Sequence, residues 1–183
     1  MYTTKQVIIM RTDLNMRKGK MIAQGAHASM KVFFDKMSTE ENELPVFQLD
    51  EQQKKCSGYI MTPLIKKQLL FGKNDPMLEW MEGSFAKIVV GVDSLESLLS
   101  LQKQAEEVGI INAIITDNGN TEFKETCLDC EGKGSFHNGY GMPIECKNCN
   151  GTGKVNKPTI TCLAIGPDLS ERIDLITKEL KPL

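Results

Sequence analysis

The sequence predicts an α/β layered protein that carries a small metal-binding insertion. Short, almost wholly apolar runs read as strands, and amphipathic segments that read as helices alternate with them. Two Cys-x-x-Cys pairs in the second half of the chain mark the insertion. The 183 residues suit a single domain spanning 1–183, and 40% hydrophobic with 25% charged residues suffice for a real core. No apolar run approaches the length of about 18 residues that a membrane span needs. The first one, Val7-Ile-Ile-Met10, is too short for an export signal, so a cytoplasmic location without membrane contact is expected.

Val7–Arg11 is the first expected strand. The turn-like Thr12–Gly19 leads into a helix from Lys20 to Phe34. On it Ile22, Ala26, Met30 and Phe33 recur as one buried stripe, with Lys20, Gln24, His27 and Lys31 on a separate polar stripe. Residues 37–76 are expected to form an irregular extension, because Asn42-Glu-Leu-Pro45, Cys56-Ser-Gly58 and Asn74-Asp-Pro76 break any long pattern. Within it Leu64–Phe71 reads as a short helix. Met77–Met81 is a helical turn and Ala86–Val92 a strand. Asp93 with Glu96 resembles a capping box for a helix that points Leu95, Leu98, Leu99, Ala105 and Val108 inward and stops at Gly109. Ile110–Thr116 and Thr159–Ile165 are further strands, and a last helix runs from Asp168 or Ser170 to Leu180. The two direct strand–helix–strand passages predict parallel pairs with right-handed crossovers.

The net charge of −2 hides an asymmetry. Residues 1–36 hold seven Lys/Arg against only Asp13 and Asp35, while the remainder is acidic. Positive charge concentrated at one end of an otherwise acidic protein suits an anion such as a phosphate backbone, or simply a solvated helix face. Arg17-Lys-Gly-Lys20, between strand and helix, offers backbone N–H groups and lysines to a phosphate. It is not a nucleotide P-loop, since Met21 follows Lys20 where Ser or Thr is required.

The cysteine segment, 124–156, is an internal repeat. Cys127-Leu-Asp-Cys130-Glu-Gly-Lys-Gly134 returns as Cys146-Lys-Asn-Cys149-Asn-Gly-Thr-Gly153. In a chain without an export signal this spacing reads as one structural zinc ion on Cys127, Cys130, Cys146 and Cys149. Four thiolates leave no open position for catalysis. His137 lies between the pairs and reads as solvent-exposed, not as a fifth ligand. Cys56 and Cys162 read as small core residues. The repeat resembles the elements of the DnaJ cysteine-rich domain, but the chain has no His-Pro-Asp tripeptide and no second set of repeats.

Three separated segments carry a further resemblance. Arg11-Thr-Asp-Leu-Asn-Met-Arg-Lys-Gly-Lys20-Met-Ile-Ala-Gln24-Gly-Ala-His27-Ala28, Ile115-Thr-Asp117-Asn-Gly-Asn-Thr121-Glu-Phe123 and Thr159-Ile-Thr161-Cys-Leu-Ala-Ile-Gly166-Pro167 appear in order. Together they resemble the archaeal- and eukaryotic-type peptidyl-tRNA hydrolases, over almost all of the chain outside 37–76 and 124–156. Asn118 departs from the more usual Ala, and Lys157-Pro158 from the Gly that commonly precedes the Thr-x-Thr.

The resemblance implies a three-layer α/β/α fold with a mixed, mainly parallel four-stranded sheet. It implies hydrolysis of the ester joining a peptide to the 3′ ribose of tRNA, with Lys20, Asp117, Thr121 and His27 at the catalytic centre. Arg11, Lys18, Gln24, Lys31 and Thr161 are the expected substrate-binding positions. No organic cofactor is expected. Peptidyl-tRNA is the expected partner, and a homodimer is left open. The chain has no Gly-x-Ser-x-Gly elbow, so direct water attack is expected over a covalent route. Asp117 would orient the water or accept its proton, Lys20 would face the ester carbonyl or terminal phosphate, and Thr121 would fix water or ribose. For His27 a purely structural role stays open. Two alternatives from other classes are a tRNA-binding protein without turnover and a factor that binds protein through its zinc module.

Overall fold

A computed structural model describes residues 2–50, 55–138 and 140–183. In chain order its elements are β1 (Thr4–Arg11), α1 (Lys18–Lys36), β2 (Ser38–Asp50), β3 (Lys55–Gln68), α2 (Pro76–Glu82), β4 (Lys87–Val92), α3 (Leu95–Glu107) and β5 (Asn112–Asp117). The insertion contributes β6 (Lys124–Thr126), β7 (Ser135–His137), β8 (Pro143–Glu145) and β9 (Lys154–Asn156), followed by β10 (Thr159–Leu169), α4 (Ser170–Thr177) and β11 (Lys181–Pro182).

The central sheet runs β11-β4-β1-β10-β5. It has one strand more than the expected four because Lys181–Pro182 adds to the edge of β4. β1 and β4 pair in parallel, whereas β10 lies antiparallel to both β1 and β5. β1, β4 and β5 therefore share one direction, as their helical crossovers require. The expected mainly parallel character holds for strand direction and not for pairing. β10 is reached through the insertion instead of a crossover helix, so it enters from the opposite end of the sheet.

Helices cover both faces. On one, Ala28, Val32 and Phe33 of α1 and Met77 and Trp80 of α2 pack on Ile8, Met10, Ile115 and Ala164. On the other, Leu98, Leu101 and Ala105 of α3 and Ile173 of α4 pack on Val7, Ile9, Val90 and Leu163. The Trp80 indole N–H donates to Ala86 O at 2.8 Å, and the Phe33 ring stacks on Trp80 with centroids 5.8 Å apart. Cys162 is fully buried in the first layer, as expected, and burial pushes its thiol up to about 12. The Cys56 side chain lies outside the described residues.

Three local expectations are corrected. The buried face of α1 carries Gln24, Gly25, Ala28, Ser29, Val32 and Phe33, while Ile22, Ala26 and Met30 are exposed. Small residues win that face because the helix sits close to the sheet. A Cβ on Gly25 would lie 3.2 Å from the Met10 methyl. The cap of α3 is Ser94, whose hydroxyl accepts the Ser97 N–H at 3.2 Å, in place of the Asp93–Glu96 pair; Leu99 and Val108 point outward. Most of 37–76 is a regular antiparallel ribbon, from Ser38 opposite Gln68 to Asp50 opposite Lys55, and it includes Leu64–Gln68, where a helix is expected. The residues at 38–45 and 61–67 are exposed, so they show no buried periodicity to read.

Phe33→Ala should lower stability by about 3–5 kcal/mol. Ile22→Ala should change it by no more than about 0.5 kcal/mol. Urea denaturation midpoints compare the two, and equal shifts would mean that the buried face of α1 is wrongly assigned.

Candidate active site and metal centre

The first turns of α1 face the C-terminal end of β5 and the turn beyond it. Lys20 Nζ lies against Asp117 Oδ2 and donates to Thr121 Oγ1 at 3.1 Å. Gln24, one turn along the helix, donates to the same Oδ2 at 3.0 Å. Behind it the Thr161 hydroxyl donates to Gln24 Oε1 at 2.7 Å, which fixes the amide with its NH2 toward Asp117. The Gly119 N–H closes the set on Asp117 Oδ1 at 2.8 Å. The Lys20 and Asp117 side chains are only 11% and 12% exposed.

Burial alone would raise the Asp117 carboxyl. The Lys20 ammonium and the N–H groups of Gly119 and Gln24 outweigh it and hold the group below the ordinary aspartate value. The carboxylate is therefore charged at neutral pH. A folded-state value below the unfolded one stabilises the fold above the unfolded value, and that contribution is lost as pH falls through the folded one.

The turn after β5 needs its glycine. Gly119 has φ +73°, and a Cβ there would meet Phe123 O and Lys157 N at 2.7 Å. Lys157 N donates to Phe123 O at 2.8 Å and Asn156 Nδ2 to Asn120 Oδ1 at 2.7 Å, so the insertion is bonded directly to the turn that carries Thr121.

The structure sorts the expected site residues. Lys20, Asp117 and Thr121 converge. Gln24 and Thr161 are buried behind them, where they hold the carboxylate and present little surface to a substrate. Arg11 is committed to Asp13 and to Ile160 O at 3.0 Å. His27 is exposed and lies with Lys31 along a shallow groove beside Ile115 and Thr116, with Lys31 paired to Asp35 at 2.7 Å. Lys18 is exposed at the start of α1. Two neighbours of the site were not picked out by sequence reasoning. Glu122 accepts from Arg17 Nε at 2.6 Å, and the Phe123 ring lies 5.6 Å from Lys20 Nζ. Glu122 and Phe123 close the motif that carries Thr121, which is the signal that could have found them.

The four insertion cysteines are buried, with sulfurs all within 4.8 Å of one another. Cys127 and Cys146 sulfurs are 3.8 Å apart, and those of Cys130 and Cys149 3.7 Å. These spacings are far too long for disulfides. The two knuckles mirror each other. The Gly134 and Gly153 N–H groups donate to Cys130 and Cys149 sulfur at 3.2 Å each. Cys127 N donates to Gly153 O and Cys146 N to Gly134 O. A Cβ on Gly134 would overlap Gly151 O, and one on Gly153 would overlap Gly132 O. The cluster can hold a metal ion. His137 lies on β7, apart from the four clustered cysteines.

Residues 4–132 match the family model described as Peptidyl-tRNA hydrolase PTH2. The chain belongs to this family. The match to the PTH2 model stops inside the first knuckle, and relatives extend it. A peptidyl-tRNA hydrolase of Methanothermobacter thermautotrophicus is 31% identical over 179 residues, covering 98% of this chain and 99% of its own. One from Nanoarchaeum equitans is 30% identical over 177 residues, covering 97% of this chain and 96% of its own. A probable peptidyl-tRNA hydrolase 2 of Dictyostelium discoideum is 24% identical over 177 residues, 97% of this chain but 53% of its own.

Asp117→Asn should destabilise the fold at neutral pH, and the gap from wild type should shrink as pH falls below the ordinary aspartate range near about 4. Denaturation midpoints measured across pH 3–7 check this. A gap independent of pH would show that the carboxylate's charge does not hold the site together.

Proposed function

We propose that this protein hydrolyses the ester between a peptide and the 3′ ribose of tRNA, by direct attack of water at the Lys20–Asp117 centre. The convergence of Lys20, Asp117 and Thr121 in a chain of the PTH2 family carries this reading. An ammonium has three N–H donors. Asp117 and Thr121 take two, and the third is left for the carbonyl oxygen as it gains negative charge. A carboxylate offers about four acceptor positions, of which Lys20, Gln24 and Gly119 occupy three. The fourth can orient a water. Because the Asp117 carboxyl is held low, it is a weak proton acceptor, and its work is to position that water and keep Lys20 charged. Water adds to the carbonyl carbon, the bond to ribose breaks, and the ribose 3′ oxygen takes up the proton that water loses. Thr121 accepts from Lys20 and retains its own O–H to donate to the ribose.

The substrate's phosphates would be met by the basic start of α1. Its first turn carries no acidic residue and no side chain caps its backbone N–H groups, so these and Lys18 are placed to meet an anion, with Arg17 beside them held by Glu122. A cytoplasmic location belongs to the same reading, and no described helix is long and apolar enough to cross a membrane.

Zinc is the ion that the cysteine cluster fits. A Zn–S distance of about 2.3 Å sets tetrahedral sulfurs about 3.8 Å apart, the separations found across the two knuckles. One ion per chain would supply folding free energy to a segment with little core of its own, with no part in the hydrolysis.

Lys20→Ala and Asp117→Asn should each slow single-turnover hydrolysis of a defined peptidyl-tRNA by about 10²–10⁴-fold, with Thr121→Ala less affected. Binding of tRNA by wild type without hydrolysis would overturn the activity. Wild-type rates in Asp117→Asn would overturn the role of the carboxylate.

Cys146→Ser should remove the metal, measured as zinc per chain by elemental analysis, and loosen residues 124–156 with only a partial loss of hydrolysis. Complete loss, with the core still folded, would mean that the insertion itself holds substrate.

A further inference from the structure

We infer that an apolar groove between α1 and the uncovered face of β4 receives the peptide half of the substrate. The inference rests on the proposed hydrolysis and names where the second half of that substrate lies.

β4 is covered on one side only. Val90 and Val92 are buried against α3, while Lys87 and Val89, alternating with them, are exposed on the opposite face. α1 leaves this side open. The result is a groove of about 700 Å³ floored by Ile8 and Met10 and walled by Met21, Ile22, Val89 and Phe85. Ile22 is 73% exposed and Phe85 53%, an unusual concentration of apolar surface beside an active site.

Contacts along α1 orient the groove. Ser29 bonds Gln6, which lies opposite Lys87 in the sheet; Gly25 sits over Ile8 and Met10; Met21 and Lys18 lie beyond them. The groove therefore begins within one helical turn of Lys20 and leads away from it. From Lys18 to Ser29 the helix rises about 16 Å at 1.5 Å per residue, room for about five residues of extended peptide.

The two sides of α1 differ in chemistry. Lys20 and Gln24 face Asp117 on β5, whereas Met21 and Gly25 face β1 and the groove. An ester held at Lys20 has its ribose on the polar side and can direct its acyl chain into the apolar one. The groove suits peptide and not RNA. Its lining is almost wholly apolar, its Ser29 hydroxyl is spent on Gln6, Lys18 lies only at the end beside Lys20, and the Lys87 ammonium is stacked over Phe85 at 3.2 Å and Trp80 at 4.5 Å. Recognition there is by apolar side chains, tolerant of sequence and selective for hydrophobic peptides.

The test uses the full-length metal-loaded protein and two substrates, tRNA carrying an N-acetylated pentapeptide of Leu and Phe and tRNA carrying one of Ser and Gly. Wild type should favour the first by about tenfold in kcat/KM, through KM. In Ile22→Glu and, separately, Val89→Glu that preference should fall below about threefold, with denaturation midpoints showing that each variant is folded. The free Leu/Phe pentapeptide acid should shift the amide resonances of Gly25, Ile22 and Val89 in wild type. Equal KM for both substrates, or a preference kept by both variants, overturns the groove. So does a wild-type dimer that the variants dissociate without change in preference, since a second copy then fills it. Amide shifts at the groove without hydrolysis of either substrate would leave the groove standing and overturn the proposed activity; hydrolysis without the shifts would do the reverse.

Discussion

One carboxylate ties the molecule's functional end together. Asp117 closes β5, accepts Lys20 and Gln24 from α1, and through Gln24 is linked to Thr161 near the start of β10. Three elements far apart in the chain thus meet at a single negative charge. The charge is affordable inside the fold because each partner is itself fixed. Gln24 is locked by Thr161, Gly119 by the turn's own geometry, and Lys20 by a helix whose small residues bring it close to the sheet. The contacts that satisfy this part-buried ion are the same ones that hold the proposed catalytic groups in place.

The legibility of the sequence follows the range over which each signal acts. The cysteine cluster is readable because all its information is local, two knuckles whose cysteines and glycines fall within eight residues each. The strands of the sheet were readable from apolar runs. The buried face of α1 was not, because hydrophobic periodicity assumes that the largest apolar residues face inward. Gly25, Ala28 and Ser29 hold that place instead, and Ile22 and Met30 point out. The ribbon of β2 and β3 escapes for a related reason, since its exposed residues at 38–45 and 61–67 carry no one-sided pattern and Pro45 and Gly58 read as breakers. The ion pair of Arg17 with Glu122 joins residues too distant in sequence for any spacing rule.

The insertion is bound into the site as well as beside it. β6 and β9 pair at its base, and the next bonds, from Lys157 to Phe123 and from Asn156 to Asn120, belong to the turn of the candidate site. The two knuckles exchange backbone hydrogen bonds and leave no room for a Cβ at Gly134 or Gly153, so the cluster closes as one unit. Order in the cluster and order in the turn share the same short ladder of bonds.

β10 lies between β1 and β5, yet it is among the last elements to be made. While the chain emerges from the ribosome, β5 has no strand to pair with, and the nascent sheet exposes an unprotected edge. β5 and β10 are separated by about forty residues, a loop whose closure costs entropy that grows with the logarithm of its length. The pairing of β6 with β9 brings the start of β10 to the end of β5 and shortens the closure that remains. The cysteine cluster lies directly beyond that ladder, where Cys127 N donates to Gly153 O, so closing the cluster and closing the gap between β5 and β10 are geometrically one event.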